Sequence, residues 1–264
     1  MGCHPDGREP LTLRRLVASS NASHFLLSLI LLSLLVACSA APTFPAAAPS
    51  TGQRHAPIER DFRPADIVKS DIDVAAEVHL RESLASSRLV MEKLYRRNPR
   101  EWRKGSYSSM EAALERAFDP RAEFRFAELN NLRGADAIML ALAPEYAGDR
   151  VFAFGVGMSS MIFLAYNAKT EFYLTDTLDP QKLYNSSRNV EIAAWKLAHA
   201  RDPRGEPLLL SNQIAGDVPN LSFERELGKI IAYQDAMAQI AAQRTNRTIR
   251  RAVQTIATAV FLPI

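Results

Sequence analysis

Residues 179–205 read DPQKLYNSSRNVEIAAWKLAHARDPRG, and this stretch decides the fold class. The Asp179 side chain can accept from the free backbone N–H groups of a helix start, and Pro180 falls at the first helical position, where a missing N–H costs nothing. Leu183, Val190, Ala194 and Leu197 follow at helical spacing and form one apolar stripe. Asp202-Pro203-Arg204-Gly205 then ends the element. The pattern predicts a helix opening at Asp179.

The same reading extends in both directions. Upstream, Ser70 or Asp71 can cap a helix carrying Leu80, Leu84, Met91 and Leu94, which Pro99 stops. Shorter helices are expected over 108–118 and 135–143, closed by Asp119-Pro120 and Pro144. Asp149 opens VFAFGVGMSSMIFLAYNA, residues 151–168, eighteen positions without a charge. That length touches the lower edge of a membrane span, but a helix apolar on all faces also describes a central core helix, the preferred reading. Its small residues Gly155, Gly157, Ser159 and Ser160 allow neighbouring helices to come close in either setting. Downstream, a long helical pattern starts near Ser222, breaks near Thr245-Asn246, and continues with Ile249, Val253, Ile256 and Val260 on one face. No fixed-period repeat is visible. The expectation is an all-α fold: one helical domain of about six helices over residues 65–264.

Composition sets the outer limits. The chain has 264 residues, Lys+Arg 32 against Asp+Glu 29, a hydrophobic share of 47% and two cysteines. These values exclude a disulfide-stapled miniprotein, a disordered tail and a strongly basic nucleic-acid binder.

The two cysteines have different fates. Phe25 to Ala37 reads FLLSLILLSLLVA, thirteen uncharged residues preceded by Arg14 and Arg15. This fits the h-region of a signal peptide and is too short for a transmembrane helix. The sequence Leu35-Val36-Ala37-Cys38 that follows resembles the lipobox of bacterial lipoproteins. The resemblance implies a signal peptide over residues 1–37, cleavage after Ala37, and lipid attachment to the Cys38 thiol and amino group. Ser39, in place of the Asp that retains such proteins at the inner membrane, implies the periplasmic face of the outer membrane. Asp6 and Glu9 are out of place in a positively charged leader, which points to a start site assigned too far upstream. With Cys3 in the leader, the mature chain has no cysteine besides Cys38, so it offers no disulfide, thiolate metal site or cysteine nucleophile. Residues 38–64, rich in Ala and Pro, read as a flexible tether.

Chemistry-bearing motifs are few. There is no G-x-S-x-G elbow, Walker loop or H-E-x-x-H, and Gly155-Val156-Gly157 lacks the third glycine of a dinucleotide site. His55 lies in the tether. His79 and Glu82 share a helix face, a pair common by chance, and no metal or cofactor is expected. One helix face stands out. Tyr184, Arg188, Glu191, Trp195 and His199 follow at spacings of four, three, four and four, so they line one side of the helix from Asp179. Aromatic and Arg side chains are common interface anchors, which makes this a candidate binding stripe. The plainer account is an amphipathic border to the core, with Arg188 and Glu191 paired.

A second candidate is the basic surface Arg96, Arg97, Arg100, Trp102, Arg103 and Lys104. In an exported protein its acidic partners would be lipid headgroups, lipopolysaccharide or wall polymers, not nucleic acid. The plainer account is cations gathered at a helix C-terminus, where the macrodipole favours them. Arg244, Arg247, Arg250 and Arg251 invite the same two readings. Residues 179–212 and 95–105 together resemble a group of uncharacterised proteobacterial lipoproteins. That resemblance implies an envelope protein and transfers no catalytic residue. The expected role is a binding or assembly component of the envelope, anchored to the bilayer through Cys38, with an envelope protein as partner. The alternatives are an enzyme with an unrecognised helical site, or a membrane-inserted component using residues 151–168.

Overall fold

The computed structural model describes residues 68–105, 107–212, 222–246, 249 and 260–264. All belong to one compact unit, Asp61–Ile264. Cys38, His55, the signal peptide, the tether, Arg247, Arg250 and Arg251 lie outside the described residues.

The fold is all-α. Seven helices are found among the described residues: α1 (Asp71–Arg97), α2 (Glu101–Lys104), α3 (Met110–Ala117), α4 (Gly134–Ala141), α5 (Arg150–Ala165), α6 (Pro180–His199) and α7 (Ser222–Thr245). Two short 3-10 turns, Pro120–Ala122 and Ala127–Leu129, join α3 to α4. The described residues contain no strand, only an isolated antiparallel bridge between Arg201 and Pro207. The helices expected between Ser70 and Thr245 are present, and the four-residue α2 is additional; the continuation expected over Val253 and Ile256 lies outside the described residues.

Capping residues set the helix starts. Ser70 caps α1 in a reciprocal box with Asp73, each satisfying a backbone N–H of the other. Ser109, Asp149 and Asp179 cap α3, α5 and α6 with their side-chain oxygens. At the other end of α7, Asn246 takes a left-handed conformation at φ 51°, which an asparagine tolerates better than most residues. The break expected near Thr245-Asn246 falls there.

Helix α5 is the centre. Every residue from Arg150 to Phe163 is buried, and α1, α2, α3, α4 and α6 all pack against it. No described helix is long and apolar enough to cross a membrane. Residues 151–163 of the uncharged run thus form the core helix that the composition predicts, while Asn167 and Ala168 at the end of the run are exposed. Its small residues do what their spacing implies. A Cβ on Gly157 would come within 2.8 Å of the Ile138 nitrogen and 2.9 Å of the Gly134 oxygen, so only glycine lets α4 lie this close. Ser160 Oγ accepts from the Gly134 N–H at 2.8 Å and donates back to Val156 O at 2.6 Å. Ser159 and Ser87 exchange a 2.8 Å hydrogen bond between α5 and α1.

Around this axis, α1 also packs on α7, and α7 packs on α6. The apolar stripe of α6 is buried at Leu183, Val190 and Leu197. Ala194, assigned to the same stripe, is only partly buried because it lies at the margin. Leu84 of α1 is likewise half-buried against the core.

Candidate functional site

Helix α6 buries its apolar stripe in the core and turns three other strips of surface elsewhere. One meets α7, one is open, and one is covered by residues 260–264.

The predicted stripe divides in two. In its first half Arg188 is the hub: Nη2 lies 2.6 Å from Asp235 Oδ2 of α7, Nη1 lies 2.9 Å from Glu191 Oε1, and the guanidinium sits over the Tyr184 ring at 5.3 Å. The Arg188–Glu191 pair expected at this spacing is thus present, and the pairing to Asp235 is the stronger fixture because it joins two helices. Burial pushes the Glu191 carboxyl above its ordinary range, and the Asp235 charge adds to this while Arg188 opposes it. Beside the hub runs a groove of about 650 Å³, lined by Tyr184, Arg188, Asp235, Gln239, Gln243 and Ile249. Arg188 Nε and Asp235 Oδ1 are buried at its wall without a protein hydrogen-bond partner.

The second half sits apart. The Trp195 and His199 rings stack with centroids 4.5 Å apart, and His199 Nδ1 lies 2.7 Å from Trp195 O. With Met139 and Leu142 they line an open depression of about 230 Å³. Met139 is 48% exposed, so an apolar side chain faces solvent beside the stacked pair. His79 is not part of this arrangement. It packs edge-on against Tyr233 at 5.7 Å, with Nδ1 2.7 Å from Ala75 O.

On the remaining flank of α6, Asn185 and Asn189 are buried, and the main chain of residues 262 and 263 meets their amides. Neither position belongs to the apolar stripe or to the aromatic and charged stripe of α6. Their signal was two asparagines four apart inside a helix, where asparagine competes poorly with ordinary helix formers and needs a partner to be favoured.

The basic segment is brought together, with its anchors turned inward. Glu101 Oε2 accepts the Arg150 N–H at 2.9 Å, and Trp102 packs against the core. Arg96, Arg100, Arg103 and Lys104 are exposed, while Arg97 is half-buried. Arg96 pairs with Glu92 at 2.7 Å, Lys104 with Glu101 at 2.6 Å, and Arg103 covers the Trp102 ring at 4.9 Å. Two of the cations are therefore partly neutralised. Arg244 is drawn into the fold, 2.8 Å from Asp73.

The Asp149 carboxyl is strongly perturbed. Burial raises it to about 6, opposed by hydrogen bonds from the Phe152 N–H and the Tyr95 hydroxyl. Its oxygens already cap α5 and accept the hydrogen bond of the Tyr95 hydroxyl, so its geometry is that of a structural joint. No group of three or more potential metal ligands occurs among the described residues, and Glu82 beside His79 faces Arg81 at 3.4 Å.

Compared with family models, curated proteins and solved structures, the chain matches none of them.

Proposed function

We propose that the chain is a lipid-anchored envelope protein, acylated at Cys38 on the periplasmic face of the outer membrane, whose helical domain acts as a binding or assembly module. The observation that carries the binding role is the surface of α6. Its two clusters, the partly buried Tyr184 with Arg188 and the more open Trp195 with His199, each border a depression formed with a second helix. Both combine an aromatic ring with a cation or imidazole, the composition that anchors protein interfaces. The anchoring role is supported by the apolar run and Leu35-Val36-Ala37-Cys38. The exposed cations Arg100 and Arg103 would face acidic groups of the envelope.

Two measurements test this reading separately. Intact-mass analysis of membrane-extracted protein should find diacylglycerol and acyl additions on Cys38, and Cys38→Ser should leave the precursor uncleaved. An unmodified Cys38 overturns the anchoring. A photo-crosslinking residue placed at Tyr184 or Trp195 should capture the same envelope protein, while one at the exposed Glu111 of α3 should not. Equal capture from all three positions, or none from α6, overturns the binding role.

A further inference from the structure

Residues 260–264 read Val-Phe-Leu-Pro-Ile and contain no polar side chain. The segment is nevertheless seated by hydrogen bonds. Asn189 Oδ1 accepts the Leu262 N–H at 2.6 Å, and Asn189 Nδ2 donates to Leu262 O at 2.8 Å. Asn185 Nδ2 donates to Pro263 O at 2.8 Å, and its oxygen accepts from Gln181 Nε2 at 2.8 Å. One amide thus satisfies both polar groups of one residue, as a neighbouring strand would. This requires the segment to be extended, with that edge facing α6. The amide orientation is dictated by its partners, because the N–H needs an oxygen and the carbonyl needs the NH2.

The apolar side chains complete the seat. Phe261 and Ile264 pack against the core, and Lys196 Nζ lies over the Phe261 ring at 5.8 Å. Since 261 meets 196, 262 meets 189 and 263 meets 185, the segment runs antiparallel to α6. Asn189 is fully buried, and Asn185 is 7% exposed. Two buried amides on a helix face, Asn189 bonded to main chain through both its atoms and Asn185 through its NH2, form a built receptor for a peptide backbone. Recognition by N–H and C=O groups is indifferent to side-chain identity, apart from the two apolar contacts.

Resting on the reading of α6 as a binding element, we propose that the Asn185–Asn189 face is a peptide cleft. It binds an extended apolar segment through its main chain; residues 260–264 occupy it in cis, and an apolar peptide of the same chemistry takes their place in trans. The seat is suited to exchange. The hydrogen bonds that hold Leu262 and Pro263 go to side-chain amides, and Phe261, Leu262 and Ile264 each keep part of their surface in solvent. Contacts of this kind belong to the low-stability end of local opening.

The test uses the full chain with Phe261→Ser and Leu262→Pro, which empty the ring contact and delete the N–H that Asn189 accepts. A fluorescently labelled, end-blocked Val-Phe-Leu-Pro-Ile peptide should bind this variant at least about tenfold more tightly than the unsubstituted chain, whose own segment competes. Adding Asn189→Ala should weaken binding by about tenfold or more. A peptide N-methylated at its leucine should lose binding to the same degree. A well-folded variant that ignores the peptide, or binding untouched by Asn189→Ala, overturns the proposal. Should the variant fail to fold, excess peptide added to the unsubstituted chain should accelerate hydrogen exchange at the Leu262 amide, and an unchanged rate overturns it. A dimer of the unsubstituted chain that the peptide dissociates would be the same cleft filled by a second copy. Crosslinking from Tyr184 is read independently, so its retention without peptide binding overturns this inference alone.

Discussion

The Tyr95 hydroxyl donates to Asp149 Oδ2 at 2.8 Å, tying the C-terminal part of α1 to the cap of the central helix. Asp149 also accepts the Phe152 N–H at 2.9 Å. One buried carboxylate therefore starts α5 and holds it against α1. Burial raises its pKa to about 6, well above the ordinary value of a free aspartate, so the folded state binds the proton more tightly than the unfolded chain. Stability from this group is full below about 4 and is lost as pH rises through about 6. Asp149→Asn keeps the cap and the acceptor without the charge. It should flatten the stability profile between pH 4 and 6 in urea titrations and stabilise the protein at pH 8 by about 1 kcal/mol. Asp149→Ala, which also orphans the Tyr95 hydroxyl, should cost about 2–4 kcal/mol.

Arg244 and Asp73 join the end of α7 to the start of α1. Asp73 is 2% exposed, and burial alone would raise its pKa, but hydrogen bonds from Ser70 and Arg244 and the Arg244 charge hold it below the usual value. This contribution is present above the unfolded pKa and is lost as pH falls through the folded one. Arg244→Ala leaves a buried carboxylate with one partner fewer. Because the arginine is partly exposed, the expected loss is about 2 kcal/mol at pH 7, less than for a fully buried pair. The difference from the parent protein should shrink as the pH is lowered below 4, read from chemical denaturation at each pH.

The glycines of α5 and α7 should respond to alanine with opposite signs. Gly157→Ala forces a methyl group into the Ile138 and Gly134 backbone, with an expected loss of about 2–3 kcal/mol and displacement of α4. Gly228 of α7 is exposed with open space around its Cβ direction, so Gly228→Ala should stabilise by about 0.5–1 kcal/mol. Thermal unfolding of both variants checks the pair.

Gln234 lies at the inner face of α7, fully buried, and neither of its amide atoms has a hydrogen-bond partner within the protein. An unsatisfied buried amide costs on the order of 1–3 kcal/mol. Gln234→Met, similar in volume and without the polar atoms, should raise the melting temperature. A lower one would mean that the amide contributes more than its geometry shows.

The legible part of this fold is the part written within one or two turns. Asp179-Pro180, Asp149 and Ser70 each start a helix because a side-chain oxygen reaches an N–H two or three residues on, a distance set by the local backbone. The four residues of α2 carry no such local signal, because Pro99 and the run of arginines mask so short an element. In the candidate site, the periodicity of Tyr184, Arg188, Glu191, Trp195 and His199 is real, but it does not say which of them share a partner.

From its sequence alone the chain is an all-α protein, with an uncharged central helix and a cysteine in a lipobox-like setting. Hydrophobic periodicity and capping are local, and a helix apolar on all faces is favoured only where its faces are withdrawn from water. Tertiary structure alone decided that Arg188 meets Asp235 across 47 positions and that Asn189 meets Leu262 across 73. Such pairings depend on how helices pack after their local rules are satisfied. An asparagine amide can serve a solvated surface or a buried strand edge equally well until the fold brings a backbone to it.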